Sequence, residues 1–125
     1  ILVKHLDNLG LNSILVKKSN KININKNFDL IVFNKVLEHV EKPLLYLKSI
    51  KKFLRKNSLV YIEVPDVNAA ILGKSREEFF IEHHHIFSNN SLNDMLTKAG
   101  FKILLTKSII EPSGKFTLFS FCMQN

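Results

Sequence analysis

Phe28-Asp-Leu-Ile-Val-Phe33 is almost continuously apolar, the pattern of a strand covered on both faces of a parallel sheet. Leu59-Val-Tyr-Ile-Glu-Val64 repeats it and is stopped by Pro65. Between them Pro43 suits the first turn of a helix, where a missing N–H costs nothing. Leu44, Leu45, Leu47, Ile50 and Leu54 fall on one stripe of that helix, with Lys48, Lys51 and Lys52 mostly outside it. A strand, a helix and a second buried strand make a parallel unit.

Downstream, residues 65–90 form a long connection, helical around Ala69–Leu72; a long loop inside a compact domain is commonly functional. Ser91 is placed to cap a helix over Leu92–Ala99, which Gly100 ends. Phe101–Thr106 reads as a third strand and Glu111-Pro-Ser-Gly114 as a turn, with Phe116–Cys122 returning as a fourth, antiparallel strand. Upstream, Ile1–Leu9 has near-helical apolar spacing and Gly10 in the C-cap place. Ser13–Lys17 is β-branched and reads as a strand, and the Asn-rich Lys18–Asn27 as a loop. The fold class is α/β, a largely parallel sheet closed by a hairpin.

The chain has 125 residues, 46% apolar and 23% charged, which fits one ordinary globular domain or part of one. No apolar run approaches the roughly 18 residues of a membrane span. The single cysteine, Cys122, excludes an internal disulfide and a Cys-rich zinc site. The start, Ile1-Leu2-Val3, lacks initiator Met and secretory pattern, so the expectation is a cytoplasmic piece of a longer protein or of a truncated gene product. Residues 1–60 carry 12 Lys/Arg against four acids, and residues 61–125 carry six against seven. A basic half invites a nucleic-acid reading. Only Arg55 and Arg76 are arginines, however, and Arg is the residue suited to bidentate phosphate and base contacts. A solvated basic face is the expectation.

Three segments stand together in order: Phe28-Asp-Leu-Ile-Val-Phe-Asn-Lys-Val-Leu-Glu-His-Val40 with Pro43 beyond, Tyr61-Ile-Glu-Val-Pro-Asp66, and Glu82-His-His-His-Ile-Phe-Ser88 followed by Ser91-Leu92 and Ala99-Gly-Phe101. Together they resemble the C-terminal half of class I S-adenosylmethionine-dependent methyltransferases, notably sugar C-methyltransferases and quinone O-methyltransferases. The resemblance implies a Rossmann-like methyltransferase sheet in which Phe28–Asn34, Leu59–Val64, Phe101–Ile109 and Phe116–Cys122 are strands four to seven, the last antiparallel. The family holds S-adenosylmethionine with a glycine-rich turn and an acidic residue. The glycines here are Gly10, Gly73, Gly100 and Gly114, none in a G-x-G setting. The first two strands are therefore expected to be missing, the Phe28–Asn34 edge to lie open as an aggregation site, and the fragment alone to be inactive. A second copy or another partner would cover that edge.

Methyl transfer from a sulfonium needs alignment, and a base if the nucleophile is protonated. By resemblance Asn34, Lys35 and Val36 line the cofactor, largely through backbone, while Glu38 and His39 sit at the rim between cofactor and substrate. Glu63, inside an apolar strand, needs a partner or the strand's open end. Asp66 is placed to touch substrate or to form an Asx turn. Glu82 and His83 match the family's substrate-covering pair, with His83 as base or substrate positioner and Glu82 orienting it. No metal site is expected at His83-His84-His85: consecutive extended residues point alternately, and Glu82 or His39 would have to complete one. Phe79, Phe80 and Phe87 read as core or lid packing. The acceptor expected is a small molecule such as a sugar or surface-glycan precursor. The competing readings are a non-catalytic remnant that binds a partner, and a basic nucleic-acid-binding module.

Overall fold

The computed structural model describes residues 2–13, 24–71 and 81–124. Its elements are α1 (Leu2–Asn8), β1 (Phe28–Asn34), α2 (Pro43–Ile50), β2 (Leu54–Pro65), α3 (Asn68–Ile71), α4 (Asn89–Lys98), β3 (Phe101–Ile110) and β4 (Phe116–Gln124), with 3-10 turns at Leu37–His39 and Lys51–Phe53. The strands form one sheet in the order β1-β2-β4-β3. β1 and β2 are parallel, and β4 runs antiparallel to both β2 and β3. The carboxyl ends of β1, β2 and β3 therefore share one edge of the sheet, and the antiparallel last strand is the one expected.

Period-two alternation decides which face is core. Val60, Ile62 and Val64 of β2 lie opposite Cys122, Ser120 and Leu118 of β4, and all six are buried. Leu47 and Ile50 of α2 and Leu92 and Leu96 of α4 join the same apolar cluster with Phe33 and Phe101. Each such side chain contributes about 1.5–3 kcal/mol on burial, so this layer carries most of the stability. Polar groups within it are paired: Thr106 donates to Asn93 Oδ1 of α4 at 2.7 Å and accepts from the Ser120 hydroxyl at 3.0 Å.

The other face corrects the sequence reading. Leu30 and Val32 are 51% and 52% exposed, so β1 is covered on one face only and is an edge strand among the described residues. An apolar run reports which side chains want burial, and the element that would bury them is not among those described. Farther in, Tyr61 lies against Phe121 and Phe119 with ring centroids 4.9 and 6.2 Å apart. Cys122 faces the core, where burial pushes its thiol up to about 12, which makes it inert.

Three boundaries also move. α2 ends at Ile50, Leu54 opens β2, and Leu45 is 60% exposed, so the helical stripe narrows to Pro43, Leu47 and Ile50. The N-cap of α4 is Ser88, whose hydroxyl accepts from Ser91 N at 3.2 Å while Ser91 Oγ accepts from Ser88 N at 2.9 Å. This reciprocal box starts the helix one turn earlier than Ser91 suggested. The strand expected at Ser13–Lys17 falls, apart from Ser13, outside the described residues, as do most of Lys18–Asn27, Leu72, Phe79 and Phe80.

Gly100 ends α4 at φ 84°, and a Cβ there would stand 2.7 Å from Lys51 Nζ. That amine donates to Gly100 O at 3.2 Å. Gly100→Ala is expected to destabilise by about 1–2 kcal/mol, the cost of a left-handed backbone for an L-residue. Thermal denaturation checks it.

Candidate functional site

In open α/β sheets ligands bind beyond the carboxyl ends of the strands, and there the chain leaves β1 through a strained residue. Lys35 adopts φ 52°, a conformation costing a non-glycine residue about 1–3 kcal/mol. Its amide donates to Glu63 O at 2.9 Å. Its ammonium donates to Thr117 Oγ1 at 2.6 Å and Glu111 Oε1 at 3.2 Å, and lies 3.5 Å from Glu63 Oε1. These bonds tie the turn to β2 and to the β3–β4 hairpin. The turn drives Leu37 into the core, which buries Glu38 beside it at 1% exposure and leaves His39 at the surface.

The loop carrying the histidines is fastened to that turn. His84 N and His85 N donate to Glu38 O at 2.8 and 3.3 Å, and His39 Nδ1 meets Glu82 O at 3.1 Å. His85 Nε2 reaches Glu41 O at 3.2 Å, and Phe87 is buried in the core while Val67 N donates to its carbonyl at 2.9 Å. The His39 and His83 rings pack edge to face with centroids 4.7 Å apart. Donor atoms of Glu38, His39 and His83 lie within 4.8 Å of one another. A cavity of about 270 Å³ opens here, lined by Lys35, Glu38, His39, Pro65, Glu82, His83 and Lys115.

Lys35, Glu38, His39, Glu82 and His83 thus meet in one cavity, with Asn34 and Val36 flanking Lys35. Asp66 does not join them. It is fully buried, its carboxylate accepts from Asn68 N at 3.0 Å and Asn68 Nδ2 at 3.3 Å, and it borders a second cavity of about 270 Å³ walled by Ile71, Ser108, Ile109, Ile110 and Phe116. The Asx turn expected as one of its two roles is present. Both Glu38 and His39 line this cavity: His39 lies at its surface, and the turn points the Glu38 carboxyl inward. The carboxyl beside the histidine rings is that of Glu38, whereas the exposed Glu82 contributes its carbonyl.

Two polar partners escaped the sequence reading. Glu111 and Thr117 bond each other as well as Lys35. An acid directly after the last residue of β3 was the available signal. Glu111 titrates below the usual carboxylate range, chiefly because the Thr117 hydroxyl donates to it and Lys35 adds to the effect. Glu63 finds the partner its burial demanded in Tyr61, whose hydroxyl donates at 2.6 Å. Burial and this acceptor push the phenol up to about 12.

Glu38 titrates above the ordinary carboxyl value of 4.5 because burial disfavours its charge, against the pull of a backbone hydrogen bond, His39, His83 and Lys35. A carboxyl raised on folding binds its proton more tightly in the native state. Stability contributed by that proton is present at low pH and falls as pH climbs from 4.5 through the raised value. Glu38→Gln removes this dependence. Urea unfolding across that window should show the variant gaining on the native protein as pH rises; a constant difference would contradict the shift.

The sequence matches the family described as "Methyltransferase domain" over residues 9–106. The chain belongs to this methyltransferase family. Its fold is that of several solved structures. An S-adenosylmethionine-dependent methyltransferase of Clostridium acetobutylicum is 11% identical, with TM-score 0.69 over 98% of this chain and 69% of that one. The 1,6-didemethyltoxoflavin-N1-methyltransferase of Burkholderia thailandensis, solved with 1,6-didemethyltoxoflavin and S-adenosylhomocysteine, is 17% identical, with TM-score 0.73 over 99% of this chain and 56% of that one. The [4+2]-cyclase SpnF is 11% identical, with TM-score 0.74 over 98% of this chain and 60% of that one. At such identities the likeness shows the fold, and a protein named for a cyclisation warns that the fold does not fix the reaction. The chain spans 56–69% of these three relatives. No curated protein sequence matches it significantly.

Proposed function

We propose that the protein takes part in methyl transfer from S-adenosylmethionine to a small-molecule acceptor bound in the cavity at the carboxyl ends of β1 and β2. The observation that carries this reading is the convergence of Lys35, Glu38, His39, Glu82 and His83 on one cavity, at the edge where this fold places ligands, in a chain of the methyltransferase family. The polar lining suits a hydroxyl-rich acceptor such as a sugar or surface-glycan precursor.

The donor set fits one flank of the cofactor. Asn34 is exposed and Val36 half-buried beside the cavity. The Lys35 amide is already taken by Glu63 O, so backbone contacts to the cofactor fall to its two neighbours. When bound, the cofactor supplies an electrophilic methyl carbon on a sulfonium. A ring nitrogen of His83 would take the proton that the acceptor's nucleophile gives up on methylation. His39 braces the His83 ring.

Calorimetric titration with S-adenosylhomocysteine tests the reading, using residues 1–125 beside a version extended upstream. Because no glycine here stands in a G-x-G setting, micromolar binding is expected from the extended chain alone, and the short chain is expected to be inactive. Silence from both would overturn the reading and favour a partner-binding remnant. That second reading draws on the absent glycine turn and on the half-exposed Leu30 and Val32, which a second copy or another partner would cover.

A further inference from the structure

The back wall of the cavity holds a buried carboxyl with one oxygen that no hydrogen bond reaches among the described residues. Glu38 is 1% exposed, and that oxygen is its Oε2. A buried carboxylate in that state is costly unless it holds a proton or faces a cation. Its backbone carbonyl is pinned by the amides of His84 and His85, so the turn cannot swing it into water. Oε1 lies 4.0 Å from His39 Nε2, and His83 packs on His39.

The groups facing Glu38 from each neighbouring element are few. Lys35 approaches from the end of β1, His39 from the same turn and His83 from the loop, while Glu82 and Lys115 line the cavity in front. Lys35 is engaged by Glu63, Glu111 and Thr117, and the imidazoles of His39 and His83 have ring nitrogens within 4.8 Å of the Glu38 carboxyl.

We infer that Glu38 is the positioning residue behind the histidine pair, coupled to His39 and His83 through space at 4.0 Å and beyond rather than by a hydrogen bond, and stabilising the imidazolium that forms when His83 accepts a proton from the acceptor. The last clause rests on the methyl-transfer reading; the electrostatic coupling does not. In this arrangement the three groups titrate as a unit, with midpoints that belong to the cluster. Glu82, first in the "EH" pair, is left a peripheral part.

Heteronuclear NMR of the full-length protein from pH 4 to 9 tests this without any turnover. In native protein the Glu38 side-chain carboxyl signal should titrate in steps mirrored by the His39 and His83 rings. In Glu38→Gln the rings should take up their proton at a pH lower by about one unit, a tenfold loss of proton affinity. Glu38→Asp, which keeps the charge, should move the midpoints back towards native. Independent titration in the native protein, or unchanged ring midpoints in a folded Gln variant, would overturn the inference, and the native measurement decides even if the variant fails to fold. Where turnover is measurable, the acid limb of kcat/KM should move down by the same unit, because a histidine without its carboxylate becomes neutral at lower pH. Shifted midpoints in a protein that transfers no methyl group would uphold Glu38 and sink the functional reading instead.

Discussion

Replacing His83 by Ala in the full-length protein is expected to lower kcat for methyl transfer by about 10²–10⁴-fold, the usual loss with a positioned acid–base group. Affinity for S-adenosylhomocysteine should stay as it was. The expectation follows from where the ring sits. It lines the cavity beside Lys35 and His39, whereas the flank assigned to the cofactor is the Asn34–Val36 turn. His84 differs in being exposed, with its backbone amide spent on Glu38 O, so His84→Ala serves as the comparison and should leave turnover near native. Single-turnover assays with mass detection of the methylated acceptor separate the two. Equal turnover in His83→Ala and the native protein would remove the proton-transfer role while leaving the fold assignment intact.

Leu47→Ala is expected to cost about 2–5 kcal/mol, the range for deleting a fully buried leucine with partial collapse around the void. Leu47 has no exposed surface and belongs to the cluster that joins α2, α4 and the helix-covered face of the sheet. Against a total stability of about 5–15 kcal/mol for a domain, this is a large fraction. Leu45→Ala, two positions earlier and 60% exposed, should change stability by no more than about 0.5 kcal/mol. Urea denaturation gives both numbers. A comparable loss at Leu45 would mean that the open side of α2 is covered in solution.

Those two leucines mark how far the sequence could be read. Two positions apart on a helix, their side chains point about 200° away from each other, so only one of them can belong to the apolar stripe. Which of them reaches the core depended on where α2 stops and how it lies on β2. The same limit applied to Phe28–Phe33, whose composition asks for two covered faces and whose position supplies one. At the site, residue types and order were legible: the turn after β1, the Glu82–His83 pair and an acid inside β2 all proved to lie at the carboxyl edge. The direction of each side chain was not legible. Glu38 and His39 are adjacent letters, yet a left-handed Lys35 and a buried Leu37 send one inward and the other outward.

Sequence alone determined the element order, the parallel β1–β2 pair, the antiparallel closing strand and the family, because hydrophobic period, turn residues and motif spacing are local properties of the chain. Tertiary structure alone decided that Glu38 rather than Glu82 is the carboxyl beside the histidines, that Asp66 closes an Asx turn onto Asn68 at the edge of a separate cavity, and that Lys35 is bound to Glu63, Glu111 and Thr117. Those partners are separated from Lys35 by as many as 82 positions. They meet only because the sheet order sets the ends of β1, β2 and the β3–β4 hairpin side by side, and no local pattern encodes that proximity.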